Sequence, residues 1–171
     1  MRFLYRALIL SLLSASAFGQ MGAVPAPVEK RLTNIKQLTF GGENAEAYFS
    51  SDGKHLIFQS KRDGHGCDRI YTMNVDGSAT KQVSNGEGRT TCAYYFKGGK
   101  RIIYASTHSG GPECPPEPDR SKGYVWPVYA DYELYTSNAD GSDIKRLTNI
   151  PGYDAEATVS PDGKKIVFTS E

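Results

Sequence analysis

The chain has no surplus of charge of either sign. Its 171 residues carry 20 Lys and Arg against 19 Asp and Glu, a formal net charge of +1. Electrostatic recognition of nucleic acid needs a clustered basic surface, so no nucleic-acid partner is expected. Long apolar runs are missing too. The run Ala7–Leu13 is far short of the roughly 20 residues that span a bilayer. Met (3) and Trp (1) are scarce. No nucleophile elbow of the Gly-x-Ser-x-Gly type, P-loop, His-Glu-x-x-His segment or dinucleotide fingerprint occurs, so no catalytic residue, metal or cofactor is nominated. These absences exclude a coiled coil, a membrane bundle and a basic tail. What is abundant is Gly (18), Tyr (11) and Phe (7), with 39% hydrophobic residues overall. That mixture suits a soluble globular protein of short strands and many turns.

The N-terminus reads as an address. Arg2 and Arg6 precede the apolar run, and Ser14, Ala15, Ser16, Ala17 and Gly19 follow it. A basic segment, a short apolar core and a small-residue cleavage zone make a secretory signal peptide over residues 1–19. The expected destination is the periplasm or the exterior, with no membrane span in the mature chain. Residues 20–35, with Pro25 and Pro27, read as a linker and first edge segment. Export into an oxidising compartment lets a disulfide persist. The cysteine count is 3, so at most one internal bridge forms.

The rest of the chain, residues 36–171, repeats itself. Ala45-Glu46-Ala47-Tyr48, Thr91-Cys92-Ala93-Tyr94 and Ala155-Glu156-Ala157-Thr158 each lead into a turn at Gly53, Gly99 or Gly163. A β-branched and aromatic run follows each turn: Ile57-Phe58, Ile102-Ile103-Tyr104 and Ile166-Val167-Phe168. A second element, Ile70 to Ser78, returns as Leu134 to Ser142. A third, Lys36-Gln37-Leu38-Thr39, returns at Lys81 and Lys145. The three turn glycines stand 46 and 64 residues apart, so the second copy holds an insertion, placed at about 107–130. Asp-Gly and Gly-Gly pairs supply the positive φ that a tight hairpin needs. Four short antiparallel strands in roughly 45 residues form one blade of a β-propeller. The predicted fold is therefore all-β, with blades of four antiparallel strands and an incomplete ring of about two and a half blades.

Ser160-Pro161-Asp162-Gly163-Lys164-Lys165-Ile166-Val167-Phe168-Thr169-Ser170 resembles the PD40 repeat, the WD40-like repeat of the TolB propeller. The resemblance extends from Gln37 to Glu171. It implies a propeller of the kind found in periplasmic TolB and in prolyl-oligopeptidase-type peptidases. The chain departs from TolB in having only a short linker before its repeats, where TolB has an α/β domain. It also has Lys97-Gly98-Gly99 where the repeat has Pro-Asp-Gly. A closed propeller needs at least four blades, so a truncated chain is expected, with self-association through open blade edges as the alternative.

Loops carry function on a rigid scaffold. The loop Lys61–Asp68, the link Asn85–Cys92 and the insertion map to one rim, which gathers all three cysteines together with His65 and His108. The nominated binding rim is Glu46, His65, Arg89, His108, Trp126 and Glu156. A disulfide between two of Cys67, Cys92 and Cys114 would pin the insertion, with Cys92 bonded to Cys114 or Cys67 as the favoured pairing. A metal held by His65, Cys67, Cys92, His108 and Cys114 is the weaker alternative, since the spacings match no standard zinc motif. Trp126 serves either as an exposed binding anchor or as packing for the insertion. The expected function is non-catalytic binding of a protein or peptide partner in the cell envelope. Two enzymatic alternatives are the front of a peptidase whose hydrolase lies beyond Glu171, and a propeller acting on carbohydrate through Glu46 and Glu156.

Overall fold

The structure, a computed structural model, describes residues 30–171. The signal-peptide reading falls on residues 1–19, outside the described residues. Residues 36–171 form one compact unit. Ten strands follow one another there: β1 (Glu43–Phe49), β2 (His55–Lys61), β3 (Arg69–Asn74), β4 (Lys81–Gln82), β5 (Thr90–Tyr95), β6 (Arg101–Ser106), β7 (Glu133–Asn138), β8 (Lys145–Arg146), β9 (Asp154–Val159) and β10 (Ile166–Ser170). The sole helical element among the described residues is one 3₁₀ turn, His108–Gly110.

The strands pair as the repeat dictates. β1-β2-β3-β4 and β5-β6-β7-β8 are four-stranded antiparallel sheets, and β9-β10 is a two-stranded one. The hairpins are built alike. In the β1–β2 turn, Ser50 Oγ donates to Asp52 Oδ1 at 2.6 Å and the Lys54 N–H donates to the same oxygen at 3.1 Å. Ser160, Asp162 and Lys164 repeat that geometry at 2.6 and 3.1 Å in the β9–β10 turn. Turns after β3 and β7 match as well: Asp76 takes the Ser78 hydroxyl and Asp140 the Ser142 hydroxyl, each at 2.6 Å. A short polar side chain that caps its own turn competes successfully with water.

The sheets stack face to face. Ile57, Ile70 and Val83 of the first sheet pack on Ala93, Tyr95, Ile102 and Tyr104 of the second. Ile57, Ile70 and Ile102 are fully buried, which stabilises the pair by about 1.5–3 kcal/mol apiece. Ile103, Ala105 and Leu134 on the far face of the second sheet meet Ala155, Ala157 and Val159 of β9. Contact between β1 and β5, and between β5 and β9, makes these three the inner strands of adjacent blades. At the outside, a Cβ at Gly141 would strike the Val83 carbonyl, and one at Gly77 would sit 3.1 Å from the Leu38 carbonyl. Leu38 therefore lies against the first blade as Val83 lies against the second, although Lys36–Thr39 forms no strand ladder.

Candidate functional site

The inner strands share a local distortion. The register of β1 skips between Ala45 and Tyr48, that of β5 between Thr91 and Tyr94, and that of β9 opposite Val167 and Thr169. Such a bulge places one extra residue against the partner strand and re-aims its side chain. The residue inside each bulge has a left-handed backbone: Glu46 at φ 52°, Cys92 at 52° and Glu156 at 59°. A non-glycine residue in that region carries strain of order 1–3 kcal/mol, which the surroundings must offset. In β5, Gln59 Oε1 of the neighbouring blade accepts the Cys92 N–H at 3.0 Å. Three copies of one strained position thus meet along the inner edge of three blades.

A cleft of about 640 Å³ opens there, lined by Glu46, Cys92 and Glu156. Tyr48 and Tyr94 line it from two blades, and Tyr124 and Trp126 from the insertion. The Tyr48 hydroxyl donates to Glu46 Oε2 at 2.6 Å, and this bond, with burial second, pushes the phenol up to about 12. Thr169 Oγ1 donates to Glu156 Oε2 at 2.8 Å. Burial first, then the charges of Glu46 and Glu156, pushes the Cys92 thiol up to about 11. The thiol is protonated at neutral pH, so it is no thiolate nucleophile. Trp126 Nε1 donates to Tyr153 Oη at 3.0 Å, while 41% of the residue stays exposed. The tryptophan is at once packed and presented.

Trp126 and Tyr124 also line a second cavity of about 360 Å³, with Asp68, Arg89, Glu117 and Arg120. The Arg89 side chain is 9% exposed, 3.8 Å from Asp68 and ion-paired with Glu117 of the insertion. Burial pushes the Asp68 carboxyl up against the opposing pull of Arg89.

The nominated rim thus divides. Glu46, Glu156 and Trp126 converge on the larger cleft and Arg89 on the adjoining one. His65 lies 2.9 Å from Gln82 Oε1 through Nε2, and the His108 ring lies tilted against Tyr135, centroids 4.1 Å apart, with Nδ1 2.7 Å from Ser106 Oγ. Neither histidine lines the two cavities. Burial pushes the His108 pKa down and favours the neutral ring. The favoured cysteine pairing is corrected: Cys67 bonds Cys114, and Cys92 stays free. The reason is placement. Cys67 sits in the β2–β3 loop beside the insertion, whereas the bulge carries Cys92 to the inner cleft. The two bonded sulfurs are unavailable to a metal, and no group of three or more His, Cys, Asp or Glu placed for one exists among the described residues. Tyr48 and Tyr94 were passed over in the sequence. The signal was present, because both stand two residues after the bulge position, in the column that holds Thr158 in the third copy.

No family model matches the chain. Among curated proteins it is 25% identical over 126 residues to dipeptidyl-peptidase 5 of Porphyromonas endodontalis, covering 71% of this chain and 15% of that enzyme. Among solved structures it resembles TolB from Acinetobacter baumannii, with 29% identity and a TM-score of 0.56 over 77% of this chain and 28% of that one. It also shares the fold of a TolB-type protein from Agrobacterium tumefaciens, with 21% identity and a TM-score of 0.57 over 77% of this chain and 45% of the other. The chain thus spans less than half the length of each of these proteins. The order of the strands, the recurring Asp-Gly turns and these likenesses agree: the repeats of this chain are TolB-like, WD40-like β-propeller blades.

Proposed function

We propose that the chain is a propeller module of the bacterial envelope that binds a protein or peptide partner in the cleft along its inner strands. The observation that carries this reading is the convergence of equivalent residues from three blades on one cavity of about 640 Å³, walled by the aromatics of the insertion. That size suits an organic ligand or the end of a peptide. Exposed Trp and Tyr are the side chains that anchor interfaces. Export to the periplasm or exterior is supported by the Arg2–Gly19 segment and by the Cys67–Cys114 bond, which persists in an oxidising compartment. Among the described residues no helix is long and apolar enough to cross a membrane.

Capture from envelope extract tests the reading. Wild type retains a partner that Trp126→Ala loses, because the cleft loses one aromatic wall. Equal recovery of every partner by both proteins overturns it. The likeness to dipeptidyl-peptidase 5 supports a second reading, in which the same cleft admits peptide substrates of a peptidase. That reading requires a Gly-x-Ser-x-Gly segment and later Asp and His in sequence beyond Glu171.

A further inference from the structure

The chemistry of the larger cleft is lopsided. Glu46 and Glu156 are the charged residues of its lining, and no Lys, Arg or His lines it. Each carboxylate is met by one neutral hydroxyl, Tyr48 on Glu46 and Thr169 on Glu156. An ionised carboxylate has about four acceptor sites, so both keep room for strong N–H donors. Four aromatic rings share the lining: Tyr48, Tyr94, Tyr124 and Trp126. Tyr48 and Tyr94 meet edge to face at 5.4 Å, and the Trp126 indole is fixed by its bond to Tyr153. Aromatic rings attract cations through their quadrupoles and tolerate the hydrocarbon that carries them. They offer nothing to the hydration shell of a metal ion, and the donor set of a metal site is absent among the described residues. An anionic group would meet two like charges with no compensating base.

We infer that this cleft takes an ammonium group carried on a peptide, held between Glu46 and Glu156 and faced by the surrounding aromatic rings. This deepens the peptide-binding reading and rests on it. The ammonium comes from a free N-terminus or from a lysine side chain, since both present N–H donors on an apolar stem. Position supports the pairing of the two carboxylates on one ligand. Both line one cavity of about 640 Å³, with Cys92 of the middle blade in the same lining. Glu46 and Glu156 hold the same left-handed bulge position in the first and third blades, and both line that cavity.

The chain's single Trp lies in the cleft, so its fluorescence reports binding directly. Four probes are titrated into the full oxidised chain: Ala-Phe-Ala amide with a free N-terminus, N-acetyl-Ala-Lys-Phe amide, N-acetyl-Ala-Phe-Ala amide and N-succinyl-Ala-Phe-Ala amide. At least one ammonium probe binds about ten-fold or more tightly than the neutral and anionic probes. Which of the two does so identifies the N-terminal or the lysine source. Glu46→Gln with Glu156→Gln removes that preference while keeping both acceptor carbonyls, and thermal unfolding at the wild-type temperature shows that the fold survives. Equal binding of charged and acetylated probes to wild type overturns the ammonium assignment and leaves the peptide reading intact. No saturable response to either ammonium probe also overturns it, and the Trp126-dependent capture experiment then judges the broader reading separately.

Discussion

Replacing Cys114 with serine removes the tie between the insertion and the β2–β3 loop. The two sulfurs are 47 residues apart in sequence. Closing a loop of that length in the unfolded chain removes entropy worth about 4 kcal/mol at room temperature in the chain-entropy account. Small domains are stable by only about 5–15 kcal/mol, so the loss is large. Other anchors keep the insertion docked in the folded state. The Gly88 N–H donates to the Pro112 carbonyl at 2.8 Å, Arg89 pairs with Glu117, the Tyr129 hydroxyl donates to the Pro116 carbonyl, and Trp126 donates to Tyr153 at 3.0 Å. The variant should therefore keep the native emission of Trp126 below its transition. Urea unfolding followed by circular dichroism and by fluorescence measures the effect. The expected result is a loss of about 4 kcal/mol in Cys114→Ser and in reduced wild type alike. A loss below about 1 kcal/mol, or one seen on reduction but not in the variant, would refute the reasoning.

Two further predictions address the repeat itself. Gly141 and Gly53 both have positive φ, but a Cβ at Gly141 strikes the Val83 carbonyl of the neighbouring blade while one at Gly53 meets nothing within 4 Å. Gly141→Ala should cost at least about 1 kcal/mol more than Gly53→Ala in chemical unfolding, and equal costs would contradict the stacking. Hydroxyl and then backbone N–H bonds hold the carboxyls of Asp52, Asp76, Asp140 and Asp162 below their ordinary value of 3.8. A lowered folded-state pKa gives stability that is fully present above 3.8 and is lost as pH falls below it. The melting temperature should thus drop in acid, and replacing all four by Asn should shrink that drop; an unchanged drop would contradict the assignment.

The propeller was legible because each blade writes the same physics three times. Gly53, Gly99 and Gly163 recur with positive φ, and the apolar pairs Leu56-Ile57, Ile102-Ile103 and Ile166-Val167 of β2, β6 and β10 follow each at the same distance. The pairing of Cys67 with Cys114 was not legible. It depends on how the Pro-rich insertion folds back, and no periodicity governs Gly110 to Pro118. The cleft was half legible. Glu46, Cys92 and Glu156 stood in one column, yet nothing in a Glu or a Cys announces a left-handed backbone, so the bulge that aims them inward stayed hidden. His65 and His108 shared a rim on paper. In the fold, local partners, Gln82 for one and Ser106 with Tyr135 for the other, hold them away from the cleft.

The central claim is that one column of residues from three successive blades converges on a common axis. Cys92 is the free thiol of the oxidised chain, so its alkylation rate against pH reads that convergence directly. The thiol should titrate near pH 11 in wild type, and lower when Glu46 and Glu156 are both changed to Gln. A thiol that titrates near its ordinary 9.0 and ignores both substitutions would mean that the three blades do not meet there.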